Sequence, residues 1–380
     1  MRQKTDRRYQ AQLAVSPRPA DRCVRPDPQP ISRLTRRTWP AEWERHEATW
    51  IAWPHHEPDW PGKLAAIPWV YAEIVRALHL HERVEILCHD EAVRASAVTS
   101  LDAHGVDSSR YRLHIVPNDR VWLRDSAPTF VNNENHEVEL VNWRFNGWAK
   151  YENHERDEKV GEAVERITGL ERTMAKRPDD GSWMVLEGGG IETDGTGSML
   201  VTEEWLLSDT QVRNPGMDRE EYEKAFAQYL GIDRTIWLGE GCVGDDTHGH
   251  IDDIARFTPS GKILLSWESN PEDPNHRGSR DNLHRLEKAG REVIKLPYPR
   301  PVIMEGQRLP ASYANFYVAN DVVIVPTFND PNDRVALDII AREHPGREVI
   351  GIHAVDLVWG LGTLHCLTQQ QPASSGNNSR

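Results

Sequence analysis

From residue 48 to residue 352 the chain alternates short apolar runs of strand type with amphipathic runs of helical spacing. This alternation limits it to a mixed α/β fold. Helices are predicted at 67–78, where Pro68 lies near the start, at 91–103 before Gly105, at 218–230 before Gly231, and at 331–342. Strands are predicted at 48–53, 84–88, 111–116, 234–238, 262–266, 293–296, 322–325 and 348–352. No linker rich in Pro, Gly or Ser divides residues 40–370, so we predict one continuous domain.

The two ends of the chain differ in composition from this body. The first 37 residues contain nine arginines and one lysine against three aspartates. Their five prolines prevent an amphipathic helix, and they lack the apolar run of a secretory signal. We therefore predict a disordered basic tail over 1–37, a single folded domain over 38–372 and a short disordered tail over 373–380.

The charge and the cysteine spacing exclude several classes of protein. The formal net charge is −14, and because the basic tail contributes +7, the rest of the chain has −21. Nucleic acid and anionic lipid both need a basic face, and no apolar window of 18 residues suits a membrane span. Cys23, Cys88, Cys242 and Cys366 form no CxxC pair, so we predict free thiols and a cytoplasmic location.

Four stretches at predicted strand ends are dense in polar residues, namely 117–130, 187–197, 244–253 and 360–372. Active sites are commonly built from such loops. Cys366 follows His365 and a glycine-containing turn, a pattern compatible with a thiol nucleophile. The competing interpretation is a small buried hydrophobe, which is the commoner fate of a free cysteine and the prediction for Cys88.

The 244–253 stretch supports two functional interpretations. His248 and His250 form an HxH pair, which on a strand would place both rings on one face as metal ligands. Alternatively, His250 is an acid/base and Asp252 is the charge partner of a substrate. A solvated acidic turn is the third possibility. The pair comes too late in the chain for a (β/α)8 metallohydrolase barrel to follow it.

Two further motifs are weak by themselves. Trp122 and Asp125 are three residues apart, so a turn or helical bend is needed for both to face one pocket. The glycines that follow Glu187 form neither GxxxxGK nor GxGxxG, so they predict tight turns rather than a nucleotide site.

Together, and in this order, the motifs resemble those of the agmatine deiminase family in the guanidine-modifying, or pentein, superfamily. The matching segments are WLRD at 122–125, EGGG at 187–190, RNP at 213–215, GHID at 249–252, SYANF at 312–316 and HCLTQQQP at 365–372. The resemblance implies a five-bladed α/β propeller over 38–372. It also implies hydrolysis of a guanidine without a cofactor or metal, on a small cationic substrate. It leaves open whether the chain forms a homo-oligomer.

The resemblance assigns roles residue by residue. Cys366 would attack the guanidinium carbon, and His250 would serve as the proton donor and then the base. Asp125 and Asp252 would hold the guanidinium. The remaining expectations are that Trp122 flanks the substrate, and that Glu187 and Asn315 contribute to its binding.

Several positions depart from the family pattern. Two residues rather than one separate Asp119 from Trp122, and four further departures are Ala127, Gly190, His248 and Thr363. We expect these to affect the far end of the substrate. Agmatine is the predicted substrate, because the acidic body favours a second cation over a carboxylate. The alternatives are another guanidine such as peptidyl-arginine, free arginine held by Arg124 or Arg213, a metal-dependent amidohydrolase and a non-catalytic binder.

Overall fold

Eighteen strands and nine α-helices lie within residues 37–374, the part of the chain that the computed structural model describes. Of the predicted tails, residues 1–36 and 375–380 lie outside this range. The strands are β1 (His46–Ala52), β2 (Arg83–Cys88), β3 (Tyr111–Ile115), β4 (Thr129–Asn132), β5 (Val138–Asn142), β6 (Arg172–Met174), β7 (Glu192–Thr193), β8 (Ser198–Thr202), β9 (Arg234–Leu238), β10 (Ala255–Phe257), β11 (Ile263–Trp267), β12 (Val293–Pro297), β13 (Ile303–Met304), β14 (Gln307–Arg308), β15 (Tyr317–Val318), β16 (Val322–Thr327), β17 (Glu348–His353) and β18 (Gln369–Pro372).

The helices include every one predicted from the sequence. They are α1 (Ile67–Leu78), α2 (Glu91–Ala103), α3 (Leu123–Ser126), α4 (Val160–Thr168), α5 (Glu203–Leu207), α6 (Arg219–Leu230), α7 (Asn275–Lys288), α8 (Asn332–Glu343) and α9 (Leu364–Leu367). At the start of α6 the Asp218 side chain accepts from the Glu221 N–H, and the Glu221 side chain accepts from Asp218 in return. The helix ends at Gly231 in the left-handed conformation, φ 69°. These caps explain why the sequence pattern located both ends.

Five sheets share one strand order. In each, a short strand pairs antiparallel with a central strand, and the central strand pairs parallel with a third. The chain crosses from the central to the third strand through one or two helices, as parallel pairing requires. The five sheets are β18-β1-β2-β3, β4-β5-β6, β7-β8-β9, β10-β11-β12 and β15-β16-β17, while β13 and β14 form a separate hairpin. The prediction of a mixed α/β fold is confirmed.

The first of these sheets is completed by the last strand. β18 pairs with β1, which places Gln369 opposite Trp50 and so joins the two ends of the described chain. The sheets and their helices enclose apolar clusters that contain Trp50, Trp53, Trp205 and Phe257. Cys88 is buried in the first cluster, as predicted. No helix within residues 37–374 is long and apolar enough to cross a bilayer.

Candidate active site

Each of the five sheets contributes one loop to a common site, and in every case the loop lies just before the short antiparallel strand. Because the unit repeats, its equivalent loops lie at equivalent ends of the sheets. The side chains that they bring together are Asp125 from α3, Glu187 before β7, His250 and Asp252 before β10, Asn315 before β15, and Cys366 from α9.

Asn315 fixes the position of Cys366. Its side-chain amide donates to the Cys366 Sγ at 3.1 Å and to the Asp253 carboxylate at 3.1 Å. Its Oδ1 accepts from the backbone N–H of His365 at 3.0 Å and from the Thr363 hydroxyl at 2.7 Å. Since all four bonds are buried, Asn315 holds the thiol-bearing turn against the neighbouring loop.

Asp125 reaches the site from α3, the helical bend that follows Trp122. Its Oδ1 accepts from the Gly189 N–H at 2.9 Å, and its Oδ2 accepts from the Trp148 indole N–H at 2.9 Å. The bend places Trp122 and Asp125 on the wall of one cavity. Burial raises the pKa of Asp125 to about 6, although the nearby His250 favours the ionised form.

Asp252 is held by His365, to which the sequence motifs gave no role. The Asp252 Oδ2 lies 2.7 Å from His365 Nδ1 and 3.6 Å from the Cys366 Sγ. The other ring nitrogen, Nε2, lies 2.8 Å from the Glu42 carboxylate. Both ring nitrogens of His365 therefore face a carboxylate oxygen. Burial disfavours charge on Asp252, but His365 holds the pKa of Asp252 below its usual range.

Glu42 is the centre of a buried network of ion pairs. It accepts from Arg256 at 2.9 Å and from Arg124 at 3.1 Å. Burial opposes its ionisation, yet Arg256, His365 and Arg124 hold the pKa of Glu42 well below its usual range. Arg124 also donates to the side chains of Gln369 and Gln370, at 3.0 and 2.7 Å. Arg124 therefore braces α3 against β18 and against the segment that precedes β1.

His250 is enclosed between two carboxylates. Its Nδ1 lies 3.8 Å from Asp125 Oδ1, and its Nε2 lies 3.5 Å from Glu187 Oε2. The Trp205 ring packs edge-on against it, with ring centroids 5.4 Å apart. Burial disfavours the imidazolium, but Asp125 and Glu187 raise the pKa of His250 to about 9. At neutral pH this histidine therefore has a proton to donate.

Glu187 in turn is fixed by Arg213, which lies 3.0 Å away, and by the Trp205 indole N–H at 2.7 Å. Burial opposes its ionisation, but Arg213 and His250 lower the pKa of Glu187 to about 2. Neither Glu187 nor Arg213 lines the cavity beside Cys366. Glu187 is thus one of the two fixed carboxylates that raise the pKa of His250.

Gly189 leaves open the space in which three of these groups converge. A Cβ at this position would lie 2.6 Å from His250 Nδ1, 2.8 Å from Asp125 Oδ1 and 3.2 Å from Asp252 Oδ2. Both ring nitrogens of His250 and Oδ1 of Asp252 are buried without a hydrogen-bond partner among the described residues. The free Oδ1 of Asp252 is an acceptor for a cationic ligand, whereas the protonated His250 ring offers N–H donors.

The Cys366 thiol is protonated in this environment. Burial raises the pKa of the Cys366 thiol well above its usual range, and the carboxylates of Asp252, Asp253 and Asp125 raise it further. A cation bound among these carboxylates would offset their charge and favour the thiolate. A bound cation would therefore lower the pKa of this thiol.

Cys366, Trp122 and Asp125 line a cavity of about 260 Å³. The other predicted site residues, His250, Asp252, Glu187 and Asn315, lie directly behind this wall and are at most 1% exposed. Residues that the sequence motifs did not identify complete the site, namely Glu42, Trp148, Asp253, Arg256 and His365. Only His365 had a local signal, since it directly precedes the cysteine.

The two histidines of the HxH pair point to different partners. His248 lies 3.7 Å from Glu204 and its side chain is 26% exposed, whereas the side chain of His250 is 1% exposed. Within residues 37–374 no group of three or more His, Cys, Asp or Glu side chains is placed to hold a metal ion. The arrangement does not favour the metal-dependent alternative.

Most of the departures from the family pattern lie away from the cavity wall. Ala127, Gly190, His248 and Thr363 do not line the cavity. Gly190 makes room for the Trp205 ring, and Thr363 supports Asn315. Of the departures, only the two-residue segment between Asp119 and Trp122 reaches the cavity, where Arg120 lines the wall. The effect of these four residues on the far end of the substrate stays a prediction.

Comparison with known proteins places the chain among hydrolases that act on the C–N bonds of guanidines. It is 34% identical over 363 residues to the agmatine deiminase of Pseudomonas aeruginosa (strain UCBPP-PA14), covering 88% of this chain and 95% of the relative. It is 33% identical over 366 residues to that of Ectopseudomonas mendocina (strain ymp), covering 89% and 96%. A family model described as Porphyromonas-type peptidyl-arginine deiminase matches residues 38–372. The chain belongs to this family.

Solved structures give the same result. The agmatine deiminase of Enterococcus faecalis superposes with a TM-score of 0.79 at 28% identity, covering 89% of this chain and 96% of that chain. A cysteine-to-serine variant of the agmatine deiminase of C. jejuni, with substrate bound, superposes with a TM-score of 0.80 at 25% identity, covering 89% and 97%. The resemblance inferred from the six motifs is confirmed.

Proposed function

We propose that this protein is an agmatine deiminase, which hydrolyses agmatine to N-carbamoylputrescine and ammonia. The observation that carries the proposal is the convergence of four side chains: Cys366 and Asp125 on the wall of one cavity, and His250 and Asp252 directly behind them. A thiol among carboxylates suits a cationic substrate, since the cation both binds the carboxylates and activates the thiol. The curated relatives are named for the same activity.

In the first step Asp125 and Asp252 accept charge-assisted hydrogen bonds from the guanidinium and hold its carbon beside the thiol. The substrate charge favours loss of the thiol proton to solvent. The Cys366 thiolate then bonds to the guanidinium carbon. One terminal C–N bond breaks, and the proton of His250 passes to the departing nitrogen, which leaves as ammonia. A covalent thiouronium on Cys366 remains.

In the second step His250, now neutral, takes a proton from water, and the hydroxide adds to the thiouronium carbon. The C–S bond breaks, the hydroxyl proton of the intermediate passes to solvent, and the ureido product leaves. The thiolate and the imidazolium are restored. Asn315 positions the thiol, Trp122 flanks the alkyl chain, and Glu187 maintains the charge of His250.

The positions of two arginines, Arg124 and Arg213, support agmatine over free arginine as the substrate. An arginine-specific site needs a cation for the substrate carboxylate. Arg124 is paired with Glu42 and Arg213 with Glu187, and neither lines the cavity. The two arginines named as candidates are therefore occupied by structural roles.

We further propose that the five sheets are the five blades of a propeller around this site, within a catalytic domain that spans 38–372. The shared strand order and the contribution of one loop per sheet support this arrangement. A catalytic thiol operates best in a reducing compartment, which supports a cytoplasmic enzyme. Its product would supply putrescine biosynthesis.

The test combines one variant with a substrate panel. Cys366→Ser should lower kcat by about 10³-fold or more, because the hydroxyl is not activated by a bound cation as the thiol is. Cys88→Ala, at a buried core position, is the control and should remain active. Agmatine, arginine and N- and C-blocked arginine are compared by mass spectrometry of the ureido product. Faster turnover of either arginine compound, or activity that EDTA removes and zinc restores, would contradict the proposal.

A further inference from the structure

Asp246 is a cavity-lining carboxylate on the solvent side of the site. It lines the same cavity as Cys366, together with Tyr151 and Thr247. Its side chain is 18% exposed, against 3% for the inner carboxylate Asp125. The cavity therefore has one acidic group at its inner end and another toward solvent.

Asp246 already binds an alkylammonium group. The Lys150 ammonium contacts its Oδ1, and the Tyr151 hydroxyl donates to its Oδ2 at 2.6 Å. A lysine side chain is four methylenes that end in an ammonium. Agmatine has the same aminobutyl group opposite its guanidinium. The carboxylate is thus arranged to hold the chemical group that the proposed substrate would present.

Two aromatic rings connect Asp246 to the reacting end of the cavity. The Trp148 ring packs edge-on against the Tyr151 ring, with centroids 5.9 Å apart. Trp148 donates to Asp125 at 2.9 Å, and Tyr151 donates to Asp246. An aminobutyl chain between the two carboxylates would run along these rings, which suit its methylenes.

The cation in the cavity wall is already neutralised. Arg120 pairs with the buried Asp59 and stacks over the Tyr151 ring at 4.3 Å. A carboxylate at the far end of a substrate would have to compete with Asp59 for Arg120 and would meet Asp246 as a like charge. The wall therefore favours a terminal ammonium.

We propose that Asp246 is a specificity-determining residue that binds the terminal ammonium of the substrate, and that Lys150 is an intramolecular competitor which the substrate displaces. This inference rests on the proposed deiminase function. It defines the substrate class as guanidines that bear an ammonium on a four-carbon chain.

The experiment compares agmatine with n-butylguanidine, which has the same chain without the ammonium. The measured quantity is the ratio of the two kcat/KM values. Asp246→Asn should lower this ratio by about tenfold or more, because only agmatine loses a charged partner. Lys150→Gln should raise the ratio by about threefold, because the competitor is removed. Lys63→Gln is the matched control and should leave the ratio unchanged, since Lys63 is 41% exposed, Lys150 is 42% exposed, and each pairs with one aspartate.

The outcomes separate this inference from the proposed function. If wild-type protein yields no ureido product from any guanidine, the deiminase function itself is overturned. If agmatine is turned over but Asp246→Asn affects both substrates equally, Asp246 has only a structural role. A ratio that Lys150→Gln leaves unchanged would overturn the competitor role. Preference of the wild type for 4-guanidinobutyrate over agmatine would assign the far end of the substrate to Arg120 instead.

Discussion

At the scale of single residues, the charge on His250 depends on carboxylates that flank it. Glu187→Gln removes one of them, and a neutral amide no longer stabilises the imidazolium. The pKa of His250 should then fall below its present value of about 9, so the ring loses its proton at lower pH. We expect the alkaline decline in kcat to move down by about one pH unit, measured by pH–rate profiles.

Folding of this variant is checked by its melting temperature. Arg213 keeps two carbonyl partners, on Gln211 at 2.8 Å and on Thr247 at 2.7 Å, and so is not left unpaired. An alkaline decline at the wild-type pH in a folded Glu187→Gln protein would remove Glu187 from control of His250.

The sequence identifies the residues proposed to react better than it identifies the residues that support them. Cys366, His250, Asp125 and Asp252 were identified because short motifs surround them. Glu42 had no such signal, because its partner His365 is 323 residues away and the contact exists only after folding. Chemistry is therefore visible in local sequence, whereas the network that orients it depends on tertiary structure.

At the scale of elements, two adjacent glycines in the turn before β7 should affect different properties. Substitution of Gly189 should affect mainly activity, and substitution of Gly190 mainly stability. Neither Gly189 nor Gly190 has a positive φ, so alanine is allowed by the backbone at both. A methyl group at Gly189 would crowd His250 and Asp125, with its Cβ 2.6 Å from His250 Nδ1 and 2.8 Å from Asp125 Oδ1, whereas one at Gly190 would lie 2.4 Å from the Trp205 ring.

We therefore expect Gly189→Ala to reduce kcat/KM by about 10²-fold or more with a smaller change in stability. Gly190→Ala should lower the free energy of unfolding by about 1–3 kcal/mol, the usual effect of overpacking. Urea titration and steady-state kinetics of both variants measure these effects. The opposite pattern, with activity kept in Gly189→Ala, would show that the space above Gly189 is not used by the reaction.

Helices and strands are predictable from the sequence where the residues that define them lie within the segment itself. α6 was found because Asp218 and Gly231 cap it. α7 was not, because its buried positions include Asn275, Ser279 and Asn282, which give no apolar periodicity. The short antiparallel strands have two to four residues, too few for a pattern to emerge. For this reason the five-fold repetition was not apparent in the sequence.

At the scale of the whole molecule, β18 is both a strand of the first sheet and the continuation of the thiol-bearing helix. Removing residues 369–380 would leave β1 without its antiparallel partner and Arg124 without two acceptors. We expect the melting temperature to fall by about 5 °C or more and turnover to be lost.

Truncation after Ser374 is the control, because it keeps β18 and should keep activity. Thermal melts and agmatine turnover of the two truncated proteins provide the comparison. If the protein without residues 369–380 had the melting temperature and the agmatine turnover of the control, β18 would have no part in assembling the site.

The pairing of β18 with β1 also determines when activity can first arise during synthesis. The ribosome makes β1 before it makes the segment with Cys366 and β18, which is the last described segment of the domain. Until that segment leaves the ribosome, the first sheet lacks a strand and the other four loops lack their thiol. With Cys366 as the proposed nucleophile, a growing chain is inert toward guanidines until translation of the domain is complete.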